Sequence, residues 1–307
     1  MIFAICSSVP PFFPELYNNQ HKPHNMTTAK IGWIGLGKMG GPMSQQLIKA
    51  GYGVTAYNRN KDREAAIQAM GASSAVTPAA VILQSDIVFL MVSDDNATRD
   101  VFTGNNGLLS VQTSGKIIIN MSTVSPAVSK DMAALCAAQG NTYLDAPVSG
   151  SVKQAEDALL VIMVGGDNTA FQQVKPILEK MGKLVLLTGD TGAGNNTKLA
   201  VNTLLAIFAQ GLAETVTFAN QQHIRTEDLM AVINNSALGN VFGKIKGDAI
   251  MNDNYKAAFA LKHIAKDLRL AKAEGLSSPL ATVAADTFHE AEGTLGEEDI
   301  IAIIKKF

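Results

Sequence analysis

Lys198 and Asn202 stand four residues apart in the run Gly192-Ala193-Gly194-Asn195-Asn196-Thr197-Lys198-Leu199-Ala200-Val201-Asn202, which opens a long apolar stretch. On a helix that spacing puts both side chains on one face. An ammonium on the apolar side of a buried helix is costly unless paired or used, and desolvation lowers its pKa toward the working range of a general acid or base. Periodicity alone leaves open a lysine that snorkels from the helix start to solvent. A second set with chemical meaning is Gly35-x-Gly37-x-x-Gly40, within IGWIGLGKMGGPM. Gly35 is suited to a tight turn, Gly37 to close backbone approach by a pyrophosphate, and Gly40 to close packing of a helix on the preceding strand. Leu36, Lys38 and Met39 complete the loop, whose N–H groups and helix dipole would face the anion. GxGxxG alone is a weak signal. Here an apolar run precedes it and a helical pattern follows, which is the context the motif requires.

Which dinucleotide enters is decided at the end of the second strand, where an Asp or Glu would accept from the ribose 2′-hydroxyl of NAD. This chain reads Tyr57-Asn58-Arg59-Asn60 there. Arg59 suits a 2′-phosphate or an adenine face, and Lys61 adds charge nearby. The expected cofactor is NADP(H), with Asn58, Arg59 and Asn60 around it; a solvated surface arginine is the bland alternative.

These groups need elements to hold them. Short Ile- and Val-rich runs near 31–35, 53–57, 86–92, 116–120, 142–146, 159–164 and 183–187 alternate with helical patterns, the signature of a parallel sheet with crossover helices. Thr77-Pro78 and Ser125-Pro126 announce two of the helices, because proline at the first helical position loses no hydrogen bond. Beyond Gly189 the pattern becomes helical, with segments near 193–221, 227–235, 259–274, 278–291 and 297–306. The expected class is α/β: an N-terminal Rossmann-type dinucleotide-binding domain over 26–190, then an all-α C-terminal domain over 191–307. TGDTGAG supplies the turn between them.

At 307 residues and 47% hydrophobic, the chain can bury a sizeable core. Its 25 basic and 27 acidic residues nearly cancel, so no global field attracts nucleic acid or an anionic membrane. Cys6 and Cys136 lack metal-ligand spacing, which fits a reducing cytoplasm and predicts neither a disulfide framework nor a metal site. Residues 1–25 carry four prolines and no basic n-region; they read as a disordered extension ahead of a natural start at Met26. The uncharged run Leu199 to Ala213 falls short of the ~20 residues needed to span a bilayer and reads as a buried helix. Its apolar first half exceeds what a small helical domain covers, so a homodimer or homotetramer is expected.

GLGKMGGPM, NMSTVSP, DAPVSGS, GAGNNTKLAVN and KHIAKDLRLA follow one another in the order and rough spacing of the β-hydroxyacid dehydrogenase family, which the chain resembles from Lys30 to Phe307. That family includes 3-hydroxyisobutyrate dehydrogenases and the tartronate semialdehyde and glyoxylate/succinic semialdehyde reductases. The resemblance implies that Lys198 donates the proton in carbonyl reduction, with Asn202 orienting it and the substrate. It implies a carboxylate cradle at Ser149, Gly150 and Ser151, although the family's common form is Ser-Gly-Gly and Ser151 also suits a helix N-cap. Ser122 and Thr123 resemble positions beside substrate and nicotinamide ribose; Met91, Val92 and Asn96 resemble cofactor positions. Phe259 and Asp267 resemble substrate-pocket positions, and Lys266 a cofactor contact, although a Lys-Asp pair is ordinarily a solvated face.

Val152 to Asp157 is closer to the SKKPAED pattern of glyoxylate/succinic semialdehyde reductases than to the GVGAA of 3-hydroxyisobutyrate dehydrogenases. The expected substrate is a small carboxylate-bearing aldehyde, with 3-hydroxyisobutyrate or serine as alternatives. Roughly 115 helical residues are too few for a 6-phosphogluconate dehydrogenase, and imine reductases typically lack the lysine. A non-catalytic dinucleotide-binding module is disfavoured by the intact Lys198 and Asn202.

Overall fold

A computed structural model describes residues 29–307, and the expectation for 1–25 lies outside them. The first half is a sheet whose strands begin with β1 (Ile31–Ile34), β2 (Val54–Tyr57), β3 (Ser73–Ser74), β4 (Ile87–Leu90), β5 (Ile117–Asn120) and β6 (Thr142–Asp145). All four residues of β1 and of β4 are buried, as strands covered on both faces require. These six pair in parallel in the order β3-β2-β1-β4-β5-β6, so the order reverses between β1 and β4. Ligands collect at the carboxyl ends of strands beside such a reversal. Helices α1 (Gly40–Lys49), α2 (Ala65–Gln68), α3 (Pro78–Leu83), α4 (Asp95–Thr103) and α5 (Pro126–Ala138) make the crossovers. Thr77 and Ser125 cap α3 and α5 through their side chains, with Pro78 and Pro126 at the first helical positions. The sheet separates two cores, one around Trp33, Leu47 and Phe89, the other around Val88, Phe102 and Met132.

Beyond β6 the strands are not all parallel. β7 (Val148–Ser149) and α6 (Val152–Glu156) lead to β8 (Leu160–Gly165), which runs antiparallel to both β6 and β7. A parallel return needs a crossover of about a dozen residues or more, usually a helix, and the five-residue α6 is too short to make one. After α7 (Asn168–Leu178), β9 (Gly182–Gly189) pairs parallel to β8, as a full helical crossover permits.

The second half comprises α8 (Ala193–Gln221), α9 (Thr226–Asn234), α10 (Val241–Met251), α11 (Leu261–Ala273), α12 (Pro279–Leu295) and a 3-10 segment, Ile300–Lys306. Ala213, Val216, Leu261, Ile264, Phe288 and Ile301 form its core. The periodicity misses α10, because Gly243 and Gly247 weaken the helical signal; at Gly247 a Cβ would lie 2.3 Å from Met230 Cε, so the glycine admits α9. The last segment is 3-10 rather than α, with Asp299 capping it. α8 is longer than the uncharged run inside it, since it takes in Lys198 and Glu214. It holds an 18-residue window of mean hydropathy 1.4, which by length and composition could cross a membrane, and half of that window is buried in the fold.

Candidate active site

A cavity of about 800 Å³ runs along the carboxyl ends of β1, β2, β4 and β5 and across to α8 and α11. Gly35, Gly37, Lys38, Met39 and Gly40 line it; Leu36 is buried in the core. At Gly35, with φ of 95°, a Cβ would lie 2.2 Å from the Met91 carbonyl oxygen, and at Gly40 one would lie 2.0 Å from the Gly35 oxygen. At Gly37 the nearest atom to a Cβ is Arg63 Nη1 at 3.7 Å, so the open side of the loop is there. Among the described residues the N–H groups of Gly37, Lys38, Met39 and Gly40 donate to no protein oxygen. The first turn of α1 carries no acidic residue and no side-chain cap. Unspent amides at a helix start, with room before them, fit a dinucleotide pyrophosphate.

Asn58, Arg59 and Asn60 lie on the same wall. Asn58 is a tie: its Oδ1 accepts the Leu36 N–H at 2.8 Å, and its own N–H donates to Glu64 Oε1 at 2.8 Å. Arg59 is exposed, and among the described residues neither it nor Arg63 has an ion-pair partner. Lys61, expected to contribute charge here, is spent instead: its Nζ reaches Glu64 at 2.7 Å and the Ala75 carbonyl at 2.8 Å, over the Tyr57 ring. Arg63 and the buried Glu64 were not singled out in the sequence. Arg63 stands four residues beyond Arg59, the spacing that could have found it.

Met91, Val92 and Thr123 also line the cavity, whereas Asn96 is exposed in the first turn of α4 and Ser122 is fully buried, its Oγ accepting the Val92 N–H at 2.8 Å. Lys266 Nζ, from α11, donates to the Thr123 carbonyl at 2.5 Å, tying the helical half to the β5 loop. Of the expected carboxylate cradle, Gly150 and Ser151 reach the wall and Ser149 does not. The Ser151 N–H and hydroxyl both donate to Gln154 Oε1, so the capping role occupies them. The Gly150 N–H donates to no described protein oxygen.

Lys198 lines the cavity while 8% exposed. Burial is the largest influence on it and lowers its pKa to about 8; Asp267 pulls the other way and Lys266 adds to the drop. Asp267, 3% exposed, lies on the wall, with Lys266 Nζ at 3.2 Å from its Oδ1. Asn202 is off the wall. Its Nδ2 donates to Asp267 Oδ2 at 2.5 Å, so it holds the acid rather than meeting the cavity. Phe259 stands nearby on the wall.

Two buried residues inside the quoted motifs set where Lys198 sits. Asp145, at the end of β6, accepts the N–H groups of Gly192 at 2.7 Å and Asn195 at 2.8 Å, anchoring the first turn of α8. Burial pushes its pKa up, although those N–H bonds pull back. Asn195 accepts the Val124 N–H at 3.0 Å and donates to Ser129 Oγ at 3.1 Å, fixing α8 to the β5–α5 loop. Gly194 permits the approach, since a Cβ would lie 2.5 Å from the Met163 carbonyl oxygen. Among the described residues no group of three His, Cys, Asp or Glu side chains is placed to hold a metal.

A glycine cradle for a dinucleotide at one end of a cavity, and a buried lysine of lowered pKa at the other, define a dinucleotide-dependent oxidoreductase. Two family models match in tandem. The first, the NAD binding domain of 6-phosphogluconate dehydrogenase, covers residues 30–189; the second, NAD-binding of NADP-dependent 3-hydroxyisobutyrate dehydrogenase, covers residues 192–307. The chain is 34% identical over 283 residues to glyoxylate/succinic semialdehyde reductase 2, chloroplastic, of Arabidopsis thaliana, a match covering 91% of this chain and 79% of that one. It is 35% identical over 282 residues to 2-(hydroxymethyl)glutarate dehydrogenase of Eubacterium barkeri, covering 90% and 94%. Mycobacterium tuberculosis 3-hydroxyisobutyrate dehydrogenase, solved with L-serine, superposes with a TM-score of 0.82 at 29% identity, covering 91% of this chain and 99% of that one. The chain belongs to the β-hydroxyacid dehydrogenase family, oxidoreductases acting on CH–OH groups.

Proposed function

We propose that the chain is an NADP(H)-dependent aldehyde-acid reductase acting on glyoxylate or succinic semialdehyde, with Lys198 as general acid. The observation that carries this reading is the buried Lys198, its pKa lowered to about 8, in one cavity with the unspent amides of the Gly35–Gly40 loop. Arg59 and Arg63 support the phosphorylated dinucleotide, since an exposed pair of unmatched guanidiniums suits a 2′-phosphate. A dinucleotide held by the amides of the Gly35–Gly40 loop would supply hydride chemistry for the carbonyl carbon. Lys198 donates a proton from Nζ to the carbonyl oxygen as negative charge develops there. Asp267, held by Asn202 and Lys266, offsets part of the cost of the buried ammonium. The unspent Gly150 N–H, on the wall beside Ser151, is the proposed anchor for the substrate carboxylate.

The exposed stripe of Val201, Leu204 and Phe208 on α8 supports association of two copies through the helical half. A cytoplasmic setting is proposed from the cysteine usage and is tested by fractionation.

The deciding experiment follows NADPH and NADH oxidation by the purified protein with glyoxylate, succinic semialdehyde, tartronate semialdehyde and methylmalonate semialdehyde. 3-Hydroxyisobutyrate and L-serine are run in the oxidative direction, with Lys198→Ala in parallel. Turnover of glyoxylate or succinic semialdehyde with NADPH, abolished in the variant, supports the reading. NADPH binding without turnover of any substrate would leave a dinucleotide-binding module in its place.

A further inference from the structure

The turn that follows β2 is held from behind by one buried acid. Glu64, 3% exposed, accepts the Asn58 N–H at 2.8 Å and the Lys61 ammonium at 2.7 Å on Oε1, and the Ser74 hydroxyl on Oε2. Asn58 passes the constraint forward: its Oδ1 accepts the Leu36 N–H of the glycine loop at 2.8 Å, and its Nδ2 donates to the Asn60 carbonyl at 2.6 Å. Asn60 in turn accepts the Asp62 N–H on Oδ1 at 3.0 Å and the Arg63 N–H on its carbonyl at 3.3 Å. Residues 58 to 63 therefore make one hydrogen-bonded turn, which presents Arg59 and Arg63 to the cavity and closes on Glu64 behind.

The acid stands close to the groups that would meet a 2′-phosphate. The N–H it receives belongs to the residue before Arg59, and Arg63 is its neighbour in the chain. Arg63 Nη1 lies 3.7 Å from where a Gly37 Cβ would stand, so that guanidinium faces the glycine loop. A carboxylate at the end of the second strand selects NAD, because it accepts from the ribose 2′-hydroxyl and repels a phosphate in its place. Here the acid that closes on that strand end is turned inward, hydrogen-bonded on both oxygens and paired. Burial raises its pKa, but Lys61, Ser74 and the Asn58 N–H outweigh burial and hold it below the usual carboxylate range. It is therefore charged at neutral pH, and Lys61 is its one ion-pair partner among the described residues. Lys61 Nζ also donates to the Ala75 carbonyl at 2.8 Å and lies 4.6 Å from the centroid of the Tyr57 ring, which keeps the ammonium over the acid and off the cavity wall. The other charges facing this end are Lys38, Arg59, Arg63 and Asp100 on the wall and Asp62 beside it, all exposed and screened by solvent.

We infer that Glu64 and Lys61 act as a pair that sets cofactor preference: Glu64 positions the turn bearing Arg59 and Arg63, and Lys61 cancels the charge that would otherwise repel a 2′-phosphate. The inference rests on the NADP(H) reading above. Neither residue lines the cavity, so both act through the turn. Without Lys61 the carboxylate keeps its bonds to Asn58 and Ser74 but stands uncompensated. It then repels the phosphate and competes for the two guanidiniums. NADH, with a neutral hydroxyl at that position, loses less.

Dissociation constants for NADPH and NADH are measured by fluorescence titration for the parent, Lys61→Met, Glu64→Gln and the double variant, with thermal unfolding of each. Lys61→Met is expected to lower the preference for NADPH over NADH by up to about tenfold, chiefly through NADPH, and by less at high salt. Glu64→Gln keeps an acceptor for the Asn58 N–H without the charge, and is expected to hold or raise the preference; in its presence Lys61→Met should change the ratio little. Lys61→Gln takes the place of Lys61→Met if the latter does not fold. An unmoved ratio in Lys61→Met, or an equal fall in the double variant, overturns the inference and leaves the NADP(H) reading standing. Equal weakening of both dinucleotides in step with a lower unfolding temperature does the same, since that is what lost packing alone produces. A parent protein that binds NADH as tightly as NADPH overturns the NADP(H) reading and the inference together.

Discussion

The two ends of the cavity are built on opposite principles. At the glycine loop the binding groups are unspent and open: four amides without protein acceptors, and the guanidiniums of Arg59 and Arg63 without acidic partners. At the α8 end the polar groups are buried and those around Lys198 are committed, Asp267 to Asn202 and Lys266 and Asn195 to Val124 and Ser129, while Lys198 itself feels the Asp267 charge without a hydrogen bond or ion pair among the described residues. Binding a charged cofactor reversibly needs donors that lose little by waiting in water. Moving a proton needs one group whose two protonation states are nearly balanced, and burial is what balances them. The contrast predicts that substitutions at the first end change affinity and cofactor choice, whereas substitutions at the second change rate and pH dependence.

The largest expected effect belongs to Lys198. Lys198→Ala should lower kcat for aldehyde reduction by ~10²-fold or more, the range of a lost general acid, while NADPH titration by fluorescence shows little change in affinity. Comparable losses in both quantities would break the division between the two ends.

The same residue carries a stability effect of the opposite sign. Its pKa falls from the ordinary lysine value of 10.5 to about 8 in the fold. The charged form is therefore disfavoured by folding. Below pH 8 the ammonium is present in both folded and unfolded states and the fold bears the full penalty, about 3 kcal/mol at ~1.4 kcal/mol per unit. As pH rises from 8 towards 10.5 that penalty disappears. Lys198→Met should therefore be more stable than the parent in urea titrations at pH 7, by an amount that shrinks above pH 8. A variant less stable at pH 7 would show that the lysine's contacts outweigh its desolvation.

Next comes cofactor choice. Arg59→Ala and Arg63→Ala should each reduce the preference for NADPH over NADH, by about tenfold if each makes one charged hydrogen bond to the 2′-phosphate. The comparison sharpens if kcat with saturating NADPH stays close to the parent value. A matching loss with NADH would mean that the arginines serve the adenine or the loop instead.

How much of this was readable in the sequence follows the same contrast. The glycine loop and Arg59 were legible because a turn, a close approach and a charge are local requirements written within a few residues. Strands β1, β4 and β5 were legible because burial leaves unbroken Ile- and Val-rich runs, whereas the two-residue β3 and β7 are too short to leave a run and were missed. The antiparallel β8 was not, since strand direction depends on how far the short α6 can carry the chain. Helix α10 was obscured by Gly243 and Gly247, whose reason is packing against a neighbour remote in sequence. Lys198 and Asn202 could be found at i and i+4, but the partners of Asn202 and Asp145 lie 65 and 47 residues away, a relation no local pattern holds. The Ser149 to Ser151 motif was legible as a motif, while its donors were apportioned by Gln154, which only the structure shows.

The smallest effect tests the link that contrast depends on most, the path from Asn202 through Asp267 to Lys198. Reduction requires protonated Lys198, so kcat/KM for the aldehyde should be level at low pH and fall as pH rises through about 8, while oxidation of the hydroxyacid should rise over the same interval. The Asp267 carboxylate opposes the drop in the Lys198 pKa, and Asn202 stabilises that carboxylate through a 2.5 Å hydrogen bond. In Asn202→Ala the carboxylate loses the donor that fixes it near Lys198 and supports the ammonium less. The falling limb of the reductive profile should then move to lower pH, and the rising limb of the oxidative profile should move with it. A residue that served only packing would lower both rates at every pH and leave the two limbs in place. Because Asn202 is off the cavity wall, KM for NADPH should not follow the shift; if it does, the path runs through the Lys266 contact to Thr123 rather than through Asp267.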